Sequence, residues 1–174
     1  MALWETIAEE AAAESALWGA ALLPSAERQL CAVFSQLAEE RFCLGLETIY
    51  EGYLVHYGRP RLFALPDDDT ALLLGDYLYA HGVARISALH DVAAVADLSD
   101  LISLCSQLRA EEADGDGPLW AATAALLGHG ELDEARTALR LHSDPALLER
   151  AAREAAGENA VDAALAAHAV WRPA

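Results

Sequence analysis

Four aspartates flank a short apolar run in the segment DDDTALLLGDYLYAHG, residues 67–82. Carboxylates are ligands that Mg²⁺ accepts, and a helix brings two of them to one ion when they are three or four residues apart. Asp67, Asp68 and Asp69 have no acidic partner at either spacing, and Asp69 and Asp76 would lie about 10.5 Å apart along a helix. The triplet fits a helix start, where carboxylates accept from free backbone N–H groups. We therefore predict that these aspartates begin a helix and do not bind a metal ion.

Other acidic sets have a spacing that could bind a cation, and we single out Glu47 with Glu51, Asp97 with Asp100, and Glu154, Glu158 and Asp162 in series. In a chain with 28 acidic residues such pairs arise by chance, and solvated helix faces explain most of them. Glu47 and Glu51 are the pair that lies among aromatic residues, Tyr50 and Tyr53, and perturbed carboxylates mark functional sites. Together with Asp76, they are the weak candidates for a metal site.

The basic residues exclude several chemistries, because all 11 of them are arginine and the chain has no lysine. Schiff bases, a P-loop lysine and a lysine general base are therefore impossible. The six histidines form no H-x-x-x-H pattern and no Cys-x-x-Cys motif accompanies them, which disfavours zinc. A G-x-S-x-G turn and a glycine-rich phosphate loop are also missing. We expect no cofactor.

The net charge of −17 disfavours nucleic acid as a partner, since a phosphate backbone needs a positive surface. An acidic surface without lysine is typical of a salt-rich cytoplasm, although a GC-rich genome would also favour Arg and Ala codons. No charge-free run is long enough to span a membrane, and the start of the chain lacks a secretory signal. The three cysteines are predicted to be reduced thiols, and we expect a cytoplasmic protein.

The hydrophobic pattern predicts an all-α fold, a single-domain bundle of about six to eight helices over residues 1–174. The composition agrees, because alanine and leucine are abundant and residues that favour strands are few. Cys31 and Cys43 fall within one predicted helix, too far apart along it to pair. The predicted helices cover residues 2–23, 25–57, 68–89, 91–113, 118–128, 131–142 and about 145–170, with a connector, YGRPRLFALPDDD, at 57–69 and a loop at 111–118.

Two adjacent stretches, LETIYEGYLVHYGRPRLF at 46–63 and TALLLGDYLYAHGVARIS at 70–87, resemble the class I trans-isoprenyl (polyprenyl) diphosphate synthases. That family has a helix E-x-I-H-x-A-x-L-[IV]-H-D-D-x-x-D, a loop R-R-G-x-P-T and a helix A-x-L-x-G-D-Y-L. The most specific match is the Gly-Asp-Tyr-Leu sequence at 75–78, and useful similarity covers about residues 30–128 of a prenyl-synthase-like core at about 25–170. The matching residues are Glu47, Ile49, Leu54, Val55, His56, Gly58, Pro60, Ala71, Leu73, Gly75, Asp76, Tyr77 and Leu78.

The departures from the family pattern imply lost chemistry. The chain has Tyr57-Gly58 where the first aspartate-rich motif belongs, has no second such motif after residue 128, and lacks the lysine of the G-G-K-x-x-R diphosphate site. Ionisation of an allylic diphosphate needs Mg²⁺ and cationic side chains. The resemblance thus implies a chain that is not an enzyme on its own.

Some prenyl diphosphate synthases of this family are heteromers that contain a small, motif-poor subunit, and this chain resembles that subunit. The implied partner is a catalytic polyprenyl diphosphate synthase, or a second copy of the chain. Two alternatives are a stand-alone helical interaction protein and a Mg²⁺-dependent enzyme that uses Glu47, Glu51 and Asp76. The candidates for an apolar groove or partner interface, which plain core packing would equally explain, are Tyr50, Tyr53, Leu54, Leu74, Tyr77 and Leu78.

Overall fold

A computed structural model describes residues 2–172 of the chain, and in these residues it has nine α-helices, two short 3₁₀ helices and no strand beyond one isolated β-bridge. The predicted all-α, single-bundle fold class is confirmed. The 3₁₀ helices span Ser35–Leu37 and Glu40–Phe42. The α-helices are α1 (Ala2–Glu14), α2 (Ala16–Ala21), α3 (Cys43–Tyr57), α4 (Asp68–Ser87), α5 (Val92–Ala110), α6 (Asp116–Ala125), α7 (Asp133–His142), α8 (Ala146–Ala156) and α9 (Glu158–Trp171).

The aspartate triplet begins helix α4, as predicted. The Asp67 side chain accepts a hydrogen bond from the Thr70 backbone N–H at 2.7 Å, and Asp68 and Asp69 occupy the first turn. The hydrogen bond from Thr70 lowers the pKa of Asp67 below its usual value. Helix α5 begins in the same way, because Asp91 accepts from the Ala94 N–H at 3.0 Å. Both caps are local signals, which explains why the boundaries of these helices were predictable.

The predicted helix over 25–57 is wrong in its first half. Helix α3 begins only at Cys43, so Cys31 and Cys43 do not share a helix. Backbone hydrogen bonds to the loop after α3 replace helical ones: the Leu23 N–H donates to Leu62 O and the Gln29 N–H to Arg61 O. Pairing with a distant segment therefore overrides the helical spacing of the apolar residues, and Leu30 is 45% exposed.

Two other predicted helices are each divided in two. The segment 2–23 breaks at Ser15, whose side chain accepts from the Leu17 N–H at 3.2 Å and caps α2. The final helix breaks at Gly157, where φ is +87°. A left-handed φ of this kind is readily adopted by glycine and ends α8 before α9 begins.

Helices α3 and α4 form a closely packed antiparallel pair. Gly45 and Gly52 on α3 face Gly82 and Gly75 on α4, respectively. A Cβ atom on Gly82 would lie 2.4 Å from Ile49 Cγ1, and one on Gly52 would lie 3.0 Å from Gly75 O. Because no side chain stands between the backbones at these points, the two helices approach each other more closely than ordinary side chains allow.

This helix pair lies between two cores. The larger core contains residues of α3, α5, α6, α8 and α9, including Tyr50 and Trp120. The smaller one packs α1, with Trp4 and Ile7, against α3, α4 and the loop 59–65. Side chains of α3 therefore contribute to both cores, which removes both its faces from water.

Candidate functional site

Glu47 and Glu51, the acidic pair singled out in the sequence, lie one turn apart on α3 and bind a common arginine. Arg61 Nη1 donates to Glu47 Oε2 at 2.8 Å, and Arg61 Nε donates to Glu51 Oε2 at 2.9 Å. All three side chains are buried, with side-chain exposures of 0–1%. Arg61 lies in the loop that follows α3, so a short connection places the guanidinium over the carboxylates. We call these residues the Glu47–Arg61–Glu51 triad.

The remaining oxygens of the triad are also satisfied. Glu51 Oε1 accepts from the backbone N–H groups of Arg61 and Leu62, both at 2.8 Å. Glu47 Oε1 accepts from the Ser35 hydroxyl at 2.5 Å and from the Val33 N–H at 3.3 Å. A buried carboxylate is tolerated when it is paired and hydrogen-bonded in this way.

Aromatic rings enclose the guanidinium of the triad. Arg61 Cζ lies 4.6 Å from the centre of the Trp4 ring and 5.0 Å from that of Tyr50. Burial alone would lower the pKa of Arg61, but the charges of Glu47 and Glu51 outweigh it and raise the pKa. Arg61 thus stays charged and occupies the space between the carboxylates where a cation would bind.

Asp76, the third metal-site candidate, does not join this pair. It lies on the exposed side of α4, where its Oδ1 is 3.3 Å from His56 Nε2. His56 packs against Gly75, on which a Cβ atom would lie 2.4 Å from the imidazole. Burial lowers the pKa of His56, and the Asp76 carboxylate opposes this shift. The Gly-Asp sequence therefore serves helix packing: glycine makes room for the ring, and aspartate pairs with it.

The other acidic sets follow the same pattern. Arg136 Nη1 lies 2.9 Å from Asp97 and 3.3 Å from Asp100, and Arg153 Nη1 lies 2.5 Å from Glu158 and 2.8 Å from Asp162. An arginine of the chain thus bridges one acidic pair in each of the three sets singled out in the sequence. Within the described part of the chain, no group of three or more His, Cys, Asp or Glu side chains could hold a metal ion. The full set of bridges is Glu47/Glu51 with Arg61, Asp97/Asp100 with Arg136, and Glu158/Asp162 with Arg153.

A second buried charge centre was missed by the sequence reasoning. Asp116, in the first turn of α6, accepts a hydrogen bond from the Tyr53 hydroxyl. Its Oδ2 lies 2.7 Å from Arg172 Nε and 3.6 Å from His168 Nε2, and the Tyr50 hydroxyl lies 2.8 Å from His168 Nδ1. We call these residues the Asp116 network. Its members lie on α3, on α6 and at the end of α9, so no local spacing in the sequence indicates the network.

The ionisation of the Asp116 network is fixed by its contacts. Burial by itself would raise the pKa of Asp116, but His168, Tyr53 and Arg172 outweigh it and lower the pKa to about 2. Burial also raises the pKa of the Tyr50 and Tyr53 phenols far above their usual value. The aspartate is therefore ionised and the phenols neutral at physiological pH, as expected of a structural network.

The residues predicted as an apolar groove or partner interface lie mostly inside the bundle. Five of the six predicted residues are at most 1% exposed, so their side chains offer no surface to a partner in this structure. Tyr77 is half-buried and stacks on Trp18, with ring centres 4.2 Å apart. The rings of Tyr50, Tyr53, Phe34 and Trp120 pack together and fill the interior between α3 and α6. The five buried residues are Tyr50, Tyr53, Leu54, Leu74 and Leu78.

No protein-family model matches the chain, and no curated protein or solved structure matches it. Among residues 2–172, no helix combines the length and apolar character needed to cross a membrane.

Proposed function

We propose that this chain is a non-catalytic, prenyl-synthase-like subunit that associates with a catalytic polyprenyl diphosphate synthase and supports or regulates isoprenoid chain elongation. The observation that carries the proposal is the arginine bridge across one acidic pair in each of the three sets singled out in the sequence, above all the buried pair Glu47 and Glu51. One arginine reduces the charge of such a pair from −2 to −1 and lies between the two carboxylates, so Mg²⁺ would have to displace the guanidinium in order to bind. The same bridges weigh against the Mg²⁺-dependent enzyme that would use Glu47, Glu51 and Asp76.

Two further features support this proposal. The two stretches that resemble the prenyl synthases correspond to α3 and α4, and Gly75 and Asp76 of the second stretch contact His56 of the first. The interior beside α3 is filled by Tyr50, Tyr53 and Trp120. A bundle filled in this way favours binding through its surface over enclosing a long apolar substrate.

The proposal is tested by purifying the chain alone and together with the full-length polyprenyl diphosphate synthase encoded in the same genome. We expect no prenyl transfer by the chain alone, a stable complex in size-exclusion chromatography with light scattering, and a changed rate or product length of the synthase in the complex. Prenyl transfer by the chain alone, or the absence of a complex, would contradict the proposal. A stable homodimer that ignores the synthase would instead favour the stand-alone interaction protein.

A further inference from the structure

A cavity of about 310 Å³ lies between helices α5 and α7. Among the described residues, every side chain that lines it is polar or charged except that of Leu104. Its volume is at the lower end of the range for small-molecule sites. We call it the α5–α7 cavity, and its polar lining includes Ser103 and Gln107 of α5 and Asp133, Arg136, Thr137 and Arg140 of α7.

Arg136 contributes a donor without an acceptor to the lining of this cavity. The arginine is 5% exposed, and its Nη1 lies 2.9 Å from Asp97 and 3.3 Å from Asp100. Its Nε is buried and has no hydrogen-bond partner in the described part of the chain. A buried donor that lacks an acceptor costs free energy, so the site favours a molecule that brings an acceptor oxygen.

The charges around the cavity make a simple ion a poor ligand. Three carboxylates and two guanidinium groups lie there, and three negative and two positive charges sum to −1. A lone anion would be repelled by this excess, while a lone cation would find Arg136 already beside two of the carboxylates. The charged residues are Asp97, Asp100, Asp133, Arg136 and Arg140.

Two opposite charges without partners decide the class of ligand. Asp133 and Arg140 both line the cavity, and neither side chain has an ion pair or a hydrogen bond to residues 2–172. A zwitterion would pair with both of them, whereas an uncharged polyol would leave both unpaired. The ligand is therefore expected to carry a carboxylate and an ammonium group.

The spacing of these two residues sets the length of the ligand. Seven residues along α7 correspond to about 10.5 Å, and the long Arg140 side chain shortens this gap because helical side chains lean towards the N-terminus. An extended peptide spans about 3.5 Å per residue, so two or three residues bridge the gap and a single amino acid does not. The hydroxyls of Ser103 and Thr137 and the amide of Gln107 can bond the peptide groups between the ends.

We infer that the α5–α7 cavity binds a peptide of two or three residues with free ends. Its carboxylate pairs with Arg140 and supplies an acceptor near Arg136, and its ammonium group pairs with Asp133. This inference goes beyond the proposed function, because the site needs no synthase and is tested on the chain alone.

The test follows the ¹⁵N-labelled chain by NMR during titration with triglycine, with N-acetyl-triglycine and with triglycine amide. Each modified peptide lacks one of the two terminal charges. We expect triglycine to bind and to move the backbone amide signals of Ser103 and Thr137. Each modified peptide should bind about five-fold more weakly or worse, because one charge-assisted contact is lost.

Two variants assign each charge to one end of the peptide. Arg140→Gln should bind triglycine and triglycine amide equally, and Asp133→Asn should bind triglycine and N-acetyl-triglycine equally. The matched control is Arg150→Gln, at a side chain on α8 that is 68% exposed, and it should behave as the wild type. Both altered α7 positions are exposed, so all variants should keep the thermal midpoint of the wild type.

Three results would overturn the inference. One is that the wild type does not bind triglycine. Another is that the wild type binds all three peptides equally, which would remove the role of the terminal charges. The third is that Arg140→Gln still prefers the free carboxylate, which would place the binding site elsewhere on the chain.

Discussion

Replacing Arg61 with Met would leave the two carboxylates of the triad buried without a cation. Removing one partner of a buried ion pair costs about 3–5 kcal/mol, and here one guanidinium is the cation paired with two carboxylates that are 1% and 0% exposed. We therefore expect a loss at the upper end, about 5 kcal/mol. Native domains have a free energy of unfolding of about 5–15 kcal/mol, so the Arg61→Met protein should be unfolded or retain only a small part of its stability.

The assay is urea unfolding followed by circular dichroism. With a slope of about 2 kcal/mol per molar urea, the midpoint should fall by about 2.5 M. The control is Arg150→Met, because the Arg150 side chain is 68% exposed and lies 3.8 Å from its acidic partner; it should change stability by less than about 0.5 kcal/mol. A loss of less than about 1 kcal/mol for Arg61→Met would refute the reasoning.

A second variant keeps the test informative if Arg61→Met does not fold. Changing Glu47 and Glu51 to Gln in the Arg61→Met background removes both uncompensated charges while keeping acceptor oxygens for Ser35 and the backbone. Neutral replacement of a buried ion cluster is often tolerated. We expect this triple variant to recover most of the lost stability, and a triple variant no more stable than Arg61→Met would show that packing, not charge, dominates at this position.

Three other predictions follow from the same geometry. Gly82→Ala should lower the free energy of unfolding by about 1–3 kcal/mol, because its Cβ would lie 2.4 Å from Ile49. The control Gly19→Ala, whose Cβ would have its nearest contact at 3.5 Å, should leave that free energy unchanged or raise it in urea unfolding. The ionised Asp116 side chain stabilises the folded state fully above its unfolded pKa near 3.8, and this contribution is lost as the pH falls towards 2. The difference in free energy of unfolding between the wild type and Asp116→Asn should therefore shrink by about 2 kcal/mol from pH 5 to pH 2. A difference that stays constant over this range would contradict the prediction. Addition of Mg²⁺ should leave the thermal midpoint unchanged, because Arg61 occupies the carboxylates, and an upward shift would restore the metal-enzyme hypothesis.

The predictable parts of the fold depend on local signals. Asp67 and Asp91 cap their helices by accepting hydrogen bonds from backbone N–H groups three residues further along, a spacing that can be seen in the sequence alone. The predicted helix over 25–42 is wrong because the backbone of Leu23, just before it, pairs with Leu62 and that of Gln29, within it, pairs with Arg61, a contact between segments far apart in the chain. Gly45, Gly52, Gly75 and Gly82 repeat at seven-residue intervals in two pairs, a visible signal of close helix pairing that went unused.

The site was predictable only in part. Their aromatic neighbours distinguish Glu47 and Glu51 in the sequence, yet the same spacing fits a metal ion and an arginine equally well. Nothing in the sequence says which of 11 arginines approaches them, because that depends on the path of the loop after α3. Asp116 falls in the predicted loop 111–118, and its partner His168 lies on α9, so no local spacing in the sequence indicates their contact.

The two buried charge centres differ in when they can form. The triad needs only α3 and the loop after it, so closing it involves a short segment and little loss of chain entropy. The Asp116 network joins Tyr50 to His168, which are 118 positions apart. During synthesis from the N-terminus, the triad can therefore assemble before α9 has been made, whereas Asp116 has no contact with His168 and Arg172 until residues 168–172 have emerged. Completion of the last helix is thus the step that neutralises the second centre and closes the larger core.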